Sequence, residues 1–245
     1  MAEFPRFLIP FETGPARAVV VPPDTDPGAA LAALDLPPYR AVVVVHGGAS
    51  AMEPDLIDDV TRFFAASLAP FAEQRRVLVA DGGTQAGTMA ALGAARRAIG
   101  GTFPLVGVAP RGAVSYPGAG PSPDDRPPLD AGHSHFVLIE ADTFGVESSL
   151  LVGLLRGAQV PGVALIVNGG PIVREEVAAH AALGHPVIAV AGSGRAADEL
   201  ADPGSALRAG MAGAAITIVS LADPPSLTAA LERALLPSHH SQDEA

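Results

Sequence analysis

The feature that most constrains this chain is an alternation. Short, apolar, largely β-branched runs recur along it, and most are separated by segments with helical periodicity. The runs cover residues 18–21, 41–45, 77–80, 105–108, 135–140, 163–167, 187–191 and 215–219. They lack polar alternation, so each predicts a short strand covered on both faces. Between them, residues 55–73 place Leu56, Ile57, Val60, Phe63, Phe64, Leu68 and Phe71 at helical spacing, with Pro54 suited to the first turn. Residues 84–99, 145–156, 172–183, 195–200 and 226–235 also read as helices, the last with Ser226 as a cap. Strand and helix in turn predict an α/β fold of the Rossmann-like type, a mostly parallel sheet with helices on both faces.

No internal repeat or linker divides the 245 residues, so residues 1–245 are expected to form a single domain, with a polar, frayed tail at 237–245. Residues 111–128 are rich in Pro, Gly and Asp and predict a long loop, either a binding element or a surface insertion.

Composition removes several function classes. The chain has no cysteine, which excludes disulfides, thiolate metal sites and cysteine nucleophiles and favours a reducing, cytoplasmic setting. Its basic residues are all arginine, so neither a lysine Schiff base nor a lysine-bearing phosphate loop is available. A net charge of -11 without a basic cluster argues against nucleic acid as a partner. No apolar stretch approaches the ~20 residues of a membrane helix, and the first ten residues do not read as a signal peptide, so no membrane partner is expected. The hydrophobic share of 49% suits a buried core and is compatible with a symmetric homo-dimer.

Glycine-rich turns follow several of the expected strands directly. They are His46-Gly47-Gly48, Asp81-Gly82-Gly83-Thr84 with Gly87, Asn168-Gly169-Gly170, and Gly192-Ser193-Gly194-Arg195 with Asp198. In an open parallel sheet such strand ends line the crevice where ligands bind, and helix amino termini there offer free N–H groups to anions. Asp81 and Thr84, the latter at an expected helix start, suit a ribose diol and a phosphate. Arg195 supplies a guanidinium fork for phosphate, with Asp198 able to hold it or to accept from ribose. The alternative for Asp198 is a first-turn carboxylate favouring the helix dipole. The spacing misses the Gly-x-Gly-x-x-Gly dinucleotide fingerprint, and no cofactor is expected.

His133 and His135 have strand alternation and would face one side, yet no third ligand lies near them in sequence. A structural or ligand-stacking role is expected for them, and no metal site. Distant His46 is a further histidine of undecided role.

These segments, taken in order from about Val42 to Ala201, resemble the prokaryotic LSDAT branch of the SLOG superfamily, related to the amino-terminal homology region of TRPM cation channels. The resemblance is carried by Val45-His46-Gly47-Gly48, by Asp81-Gly82-Gly83-Thr84 with Gly87, and by Gly107-Val108-Ala109-Pro110. It continues through Leu129-Asp130 with His133-Ser134-His135-Phe136 and ends on Gly192-Ser193-Gly194-Arg195-Ala196-Ala197-Asp198. It implies a Rossmann-like domain that senses a nucleotide-derived small molecule, with ADP-ribose and related NAD products as the leading class, in a free-standing bacterial cytosolic sensor. The LOG phosphoribohydrolases of the same superfamily carry Pro-Gly-Gly-x-Gly-Thr-x-x-Glu. The corresponding stretch, Asn168 to Glu176, keeps the glycine pair and Glu176 but has Asn168, Ile172 and Val173 for the Pro, Gly and Thr. The resemblance therefore also implies an N-glycosidic hydrolase using Glu176, although the balance favours a binding protein over an enzyme. Read as a residue of an amphipathic helix beside Arg174 and Glu175, Glu176 is instead expected on a solvated face.

Overall fold

A computed structural model describes residues 4–49, 52–120 and 125–236. Its centre is a nine-stranded sheet formed by β1 (Arg6–Phe11), β2 (Gly14–Val21), β3 (Ala41–Gly47), β4 (Val77–Asp81), β5 (Leu105–Pro110), β6 (His135–Ile139), β7 (Gly162–Val167), β8 (Val187–Ala191) and β9 (Ile216–Ser220). The spatial order is β1-β2-β6-β5-β4-β3-β7-β8-β9. Every pairing is parallel except β1 with β2. The expected α/β, Rossmann-like architecture is the one observed.

Side-chain alternation along the strands feeds two core layers. Val42 and Val44 pack on one face with α1 (Pro27–Ala33), α5 (Ser148–Gly157), α6 (Pro171–Ala182) and α7 (Arg195–Ala201). Ala41, Val43 and Val45 pack on the other with α2 (Pro54–Ala66), α3 (Leu68–Arg75), α4 (Gly87–Ala98) and α9 (Pro224–Leu235). From β3 the chain builds toward β4 and β5. After β6 it returns to the opposite side of β3 and continues through β7, β8, the short α8 (Ala206–Gly210) and β9. The strand order therefore reverses between β3 and β7, and the turns leaving those two neighbours diverge to opposite faces.

Several local expectations are corrected. The helix expected over 55–73 breaks at Ser67 into α2 and α3. Pro70, in the first turn of α3, has no N–H to give to Ala66, and its ring would collide with that carbonyl. Ser67 instead donates its hydroxyl to the Phe63 carbonyl at 2.6 Å. The last helix starts at Pro224 after Asp223, and Ser226 donates to the Asp223 carbonyl rather than capping. Thr84 is not at a helix start: α4 begins at Gly87, and Thr84 forms a bridge with Leu129. β1 was not expected, because Pro10 and a mixed polar pattern hide it. It is an edge strand with one fully buried side chain, Ile9. The loop over 111–128 opens with a 3-10 turn, Arg111–Ala113, and is tied back where Ser115 bridges Pro128. Its residues 121–124 and the tail at 237–245 lie outside the described residues.

Gly87 is the tightest joint between the β3 and β4 turns. Its φ is +47°, and a Cβ there would collide with the carbonyl oxygen of Gly48, which accepts from the Thr88 amide at 2.9 Å. Gly100 shares a positive φ, +60°, but has open space around it. Gly87→Ala should therefore cost more stability than Gly100→Ala, the backbone strain alone being about 1–3 kcal/mol. Denaturant midpoints of the two variants check this, and equal losses would remove the steric contact from the account.

Candidate functional site

A cleft of about 440 Å³ opens at the carboxyl edge of the sheet, beside the β3–β7 reversal. Gly47 and Gly48 line it from the β3 turn, Gly82 and Thr84 from the β4 turn, Gly170 from the β7 turn and Arg195 from the β8 turn. These expected residues come together. The remainder do not line the cleft. Asn168 donates its side-chain amide to the Ser193 carbonyl, and the Ser193 hydroxyl accepts from the Asn168 amide, both at 2.8 Å, so the pair staples the β7 turn to the β8 turn. Gly169 donates to the Asn168 side chain, and Gly194, with φ +91°, carries the chain into α7. Gly83 is packed against Gly107 and Phe136. Asp198 is engaged with the Gly192 amide at 2.6 Å.

Asp81 is fully buried and faces away from solvent into a charged cluster. Its Oδ1 accepts from the Gly83 amide at 2.7 Å and meets His133 Nε2 at 2.8 Å, while His133 Nδ1 meets Asp130 at 3.1 Å. Arg97 reaches Asp130 at 3.5 Å. Burial opposes charge on His133, but Asp81 and Asp130 together outweigh it and raise its pKa to about 9. His133 precedes β6 in a turn, so the strand alternation expected to pair it with His135 does not reach it. His135 is neutral, burial and then Arg17 and Arg96 lowering its pKa to about 4, and it contacts Ser134. Among the described residues no cluster of three or more His, Asp or Glu is arranged to hold a metal ion.

The cleft floor carries residues that sequence reasoning placed elsewhere or missed. Glu176 is only 5% exposed and lines the cleft, which overturns the solvated helix face expected for it. His46 shares the parity of Val42 and Val44 and so points toward α5 and α6, where its Nδ1 lies 2.7 Å from Glu176 Oε2. Ser148, at the start of α5, donates to Glu176 Oε1 at 2.7 Å. Burial pushes the Glu176 carboxyl up, but His46 and Ser148 outweigh it and hold it below its usual range. Glu147 also lines the cleft. Burial raises its pKa, and the nearby Glu176 charge adds to that rise. The i, i+4 spacing of Glu176 and His180 on α6 was the available sequence signal for this cluster.

Apolar residues form the rest of the wall. Met89, Leu151 and Val173 are buried, whereas Phe144 is 44% and Ile172 41% exposed at the rim. The opening turn of α6 has no side-chain cap on Gly170. By contrast, the Thr88 amide at the start of α4 is already taken by Gly48.

A doubly wound α/β sheet with its crevice at the strand-order reversal defines a small-ligand-binding architecture of the Rossmann-like class. The family model described as SLOG in TRPM, prokaryote matches residues 40–230, and the chain belongs to that family. Membership suggests a nucleotide-related ligand-binding role. No curated protein matches the chain. Among the described residues no helix is long and apolar enough to cross a membrane.

The His133 cluster yields a pH dependence. Its folded pKa of about 9 exceeds the ordinary 6.5, so its stabilising contribution is complete below pH 6.5 and is lost as pH rises through 9. Denaturant midpoints should fall across that interval. His133→Gln should flatten the profile and cost about 3–5 kcal/mol at neutral pH, since it strands buried carboxylates. A pH-independent midpoint in the parent protein would contradict a charged His133.

Proposed function

We propose that the cleft binds a nucleotide-derived small molecule carrying a diphosphate or phosphate, with ADP-ribose the leading candidate, and that the protein acts as a cytosolic sensor of that ligand. The observation that carries this reading is the meeting of four strand-end turns at one cleft that also holds a guanidinium, two carboxyls and apolar side chains. The opening turn of α6 and the Arg195 guanidinium, both on the cleft, favour an anion. Phe144, Met89 and Leu151 offer an apolar surface on which a base can lie. Glu176 and Glu147, which line the same cleft, suit ribose hydroxyls as acceptors. The volume falls within the range of small-ligand sites. The acidic net charge does not oppose an anionic ligand, because oriented N–H groups and one guanidinium set the local potential.

A second reading, N-glycosidic hydrolysis, is favoured by one observation. Glu176 is a buried, ionised carboxylate on the cleft floor, as a base activating water would be. The departures at Ile172 and Val173 from the phosphoribohydrolase pattern weigh against it.

Thermal melts with ADP-ribose, cyclic ADP-ribose, NAD and AMP, run alongside assays for released base and ribose phosphate, separate the two readings. Stabilisation without turnover is expected. Turnover abolished by Glu176→Gln would replace the sensor with the hydrolase, and silence toward all four would remove both. Arg195→Ala should weaken ADP-ribose binding by ~1.5–3 kcal/mol, the worth of a charged hydrogen bond. Unchanged affinity would take Arg195 out of the phosphate site.

A further inference from the structure

Glu176 is the first member of a line of titratable side chains that leaves the cleft and runs along α6. His46 Nδ1 lies 2.7 Å from Glu176 Oε2, and His46 Nε2 lies 2.8 Å from His180 Nε2. His180 Nδ1 in turn lies 2.9 Å from His185 Nδ1. Every link is within hydrogen-bond range. His46 stands at the carboxyl end of β3, on the cleft, whereas His185 precedes β8 and so sits toward the amino-terminal edge of the sheet. The line therefore crosses from the ligand edge toward the opposite edge. It uses both ring nitrogens of His46 and of His180.

The chemistry of imidazole makes such a line directional. A neutral ring has one N–H and one lone pair, so each link needs a donor facing an acceptor, and setting one end sets the rest. His180 stays neutral: burial, followed by His46 and His185, lowers its pKa to about 2. Burial and then Arg156 lower that of His185. In the arrangement where Glu176 is a carboxylate and each ring carries a single N–H, His46 donates from Nδ1, His180 from Nε2 and His185 from Nδ1. His185 Nε2 is then a bare lone pair. That atom is buried without a hydrogen-bond partner, a condition an acceptor tolerates better than an N–H.

We propose that Glu176, His46, His180 and His185 form a proton relay through which the charge state of the cleft is exchanged with, and reported at, the far edge of the sheet. A proton delivered to His185 Nε2 by water that reaches this half-buried ring sends the Nδ1 proton of His185 to His180 Nδ1. The Nε2 proton of His180 then passes to His46 Nε2, and the His46–Glu176 pair gains one proton. Each ring between has only reversed its tautomer, and release runs the same path backward. The charged and titratable groups that bear on the line are Glu147 beside Glu176 and Arg156 beside His185, with Arg195 lining the same cleft. An anionic ligand next to Glu176 favours its protonation. Occupancy of the cleft is thereby converted into a change from acceptor to donor at His185. This last step rests on the cleft being the ligand site, whereas the relay itself does not.

The test is a pH titration of the protein labelled with ¹⁵N at histidine, with the ring nitrogens assigned by single variants. The expected result is one shared midpoint for His46 and His185, at which His185 changes from the Nδ1–H to the Nε2–H tautomer on acidification while His180 never becomes an imidazolium. In His180→Phe the two midpoints should separate and His185 should lose its single tautomer. A His185 that titrates to imidazolium with its own midpoint in the parent protein overturns the relay without any variant. So does an unchanged His185 in a folded His180→Phe. Saturating ADP-ribose should raise the shared midpoint, and a saturated protein with an unmoved midpoint breaks the link to the ligand. A protein that does not bind ADP-ribose in the melting assay refutes the nucleotide reading alone, and the titration still decides the relay.

Discussion

The right-handed crossover of parallel strands is the constraint from which the site follows. A chain that adds strands in one direction from β3 must lay its helices on one face, and a chain that adds them in the other direction must lay them on the opposite face. Here α2, α3 and α4 cover one side and α6 and α7 the other, with β3 and β7 adjacent. The turns leaving those two strands cannot fill the space between them. What remains is a crevice whose walls are backbone and helix termini, before any side chain is specified.

The chain stiffens that crevice with groups that do not line it. Asn168 and Ser193 lock the β7 and β8 turns together, and Gly48 accepts from the first turn of α4. The Asp81–His133–Asp130 cluster is fully buried under the β4 turn and holds the Gly83 amide. A buried charged cluster is a poor source of net stability, since desolvation offsets most of its Coulomb attraction. It does fix directions, and the direction fixed here is that of the turn carrying Gly82 and Thr84 into the cleft.

Glu176 gives the crevice its chemical character. A carboxylate on the floor of a largely apolar pocket is costly to bury, and it is kept ionised by partners from β3 and α5 rather than by solvent. This makes the cleft sensitive to the charge of whatever enters it. On the proposed function, a phosphate-bearing nucleotide ligand would share this cleft with Arg195, two carboxyls and apolar side chains.

The sequence alone was sufficient for the strand–helix alternation, the parallel sheet and the glycine turns at its carboxyl edge, because those depend on local periodicity and steric freedom. It was nearly silent on β1, where Pro10 and exposure mask a strand defined only by its neighbour, and it missed the break that Pro70 enforces at Ser67. The division among the turn residues was beyond it altogether. Gly47, Gly48, Gly82, Thr84, Gly170 and Arg195 face the cleft, while Asp81, Asn168, Ser193 and Asp198 turn their side chains to backbone amides and carbonyls and do not line it. A glycine that faces the cleft and one that touches another turn obey the same local rule. Only packing separates them. The histidine line was hidden for a related reason: His46 and His180 are 134 positions apart and meet at 2.8 Å solely because β3 parity and the face of α6 point them at one another.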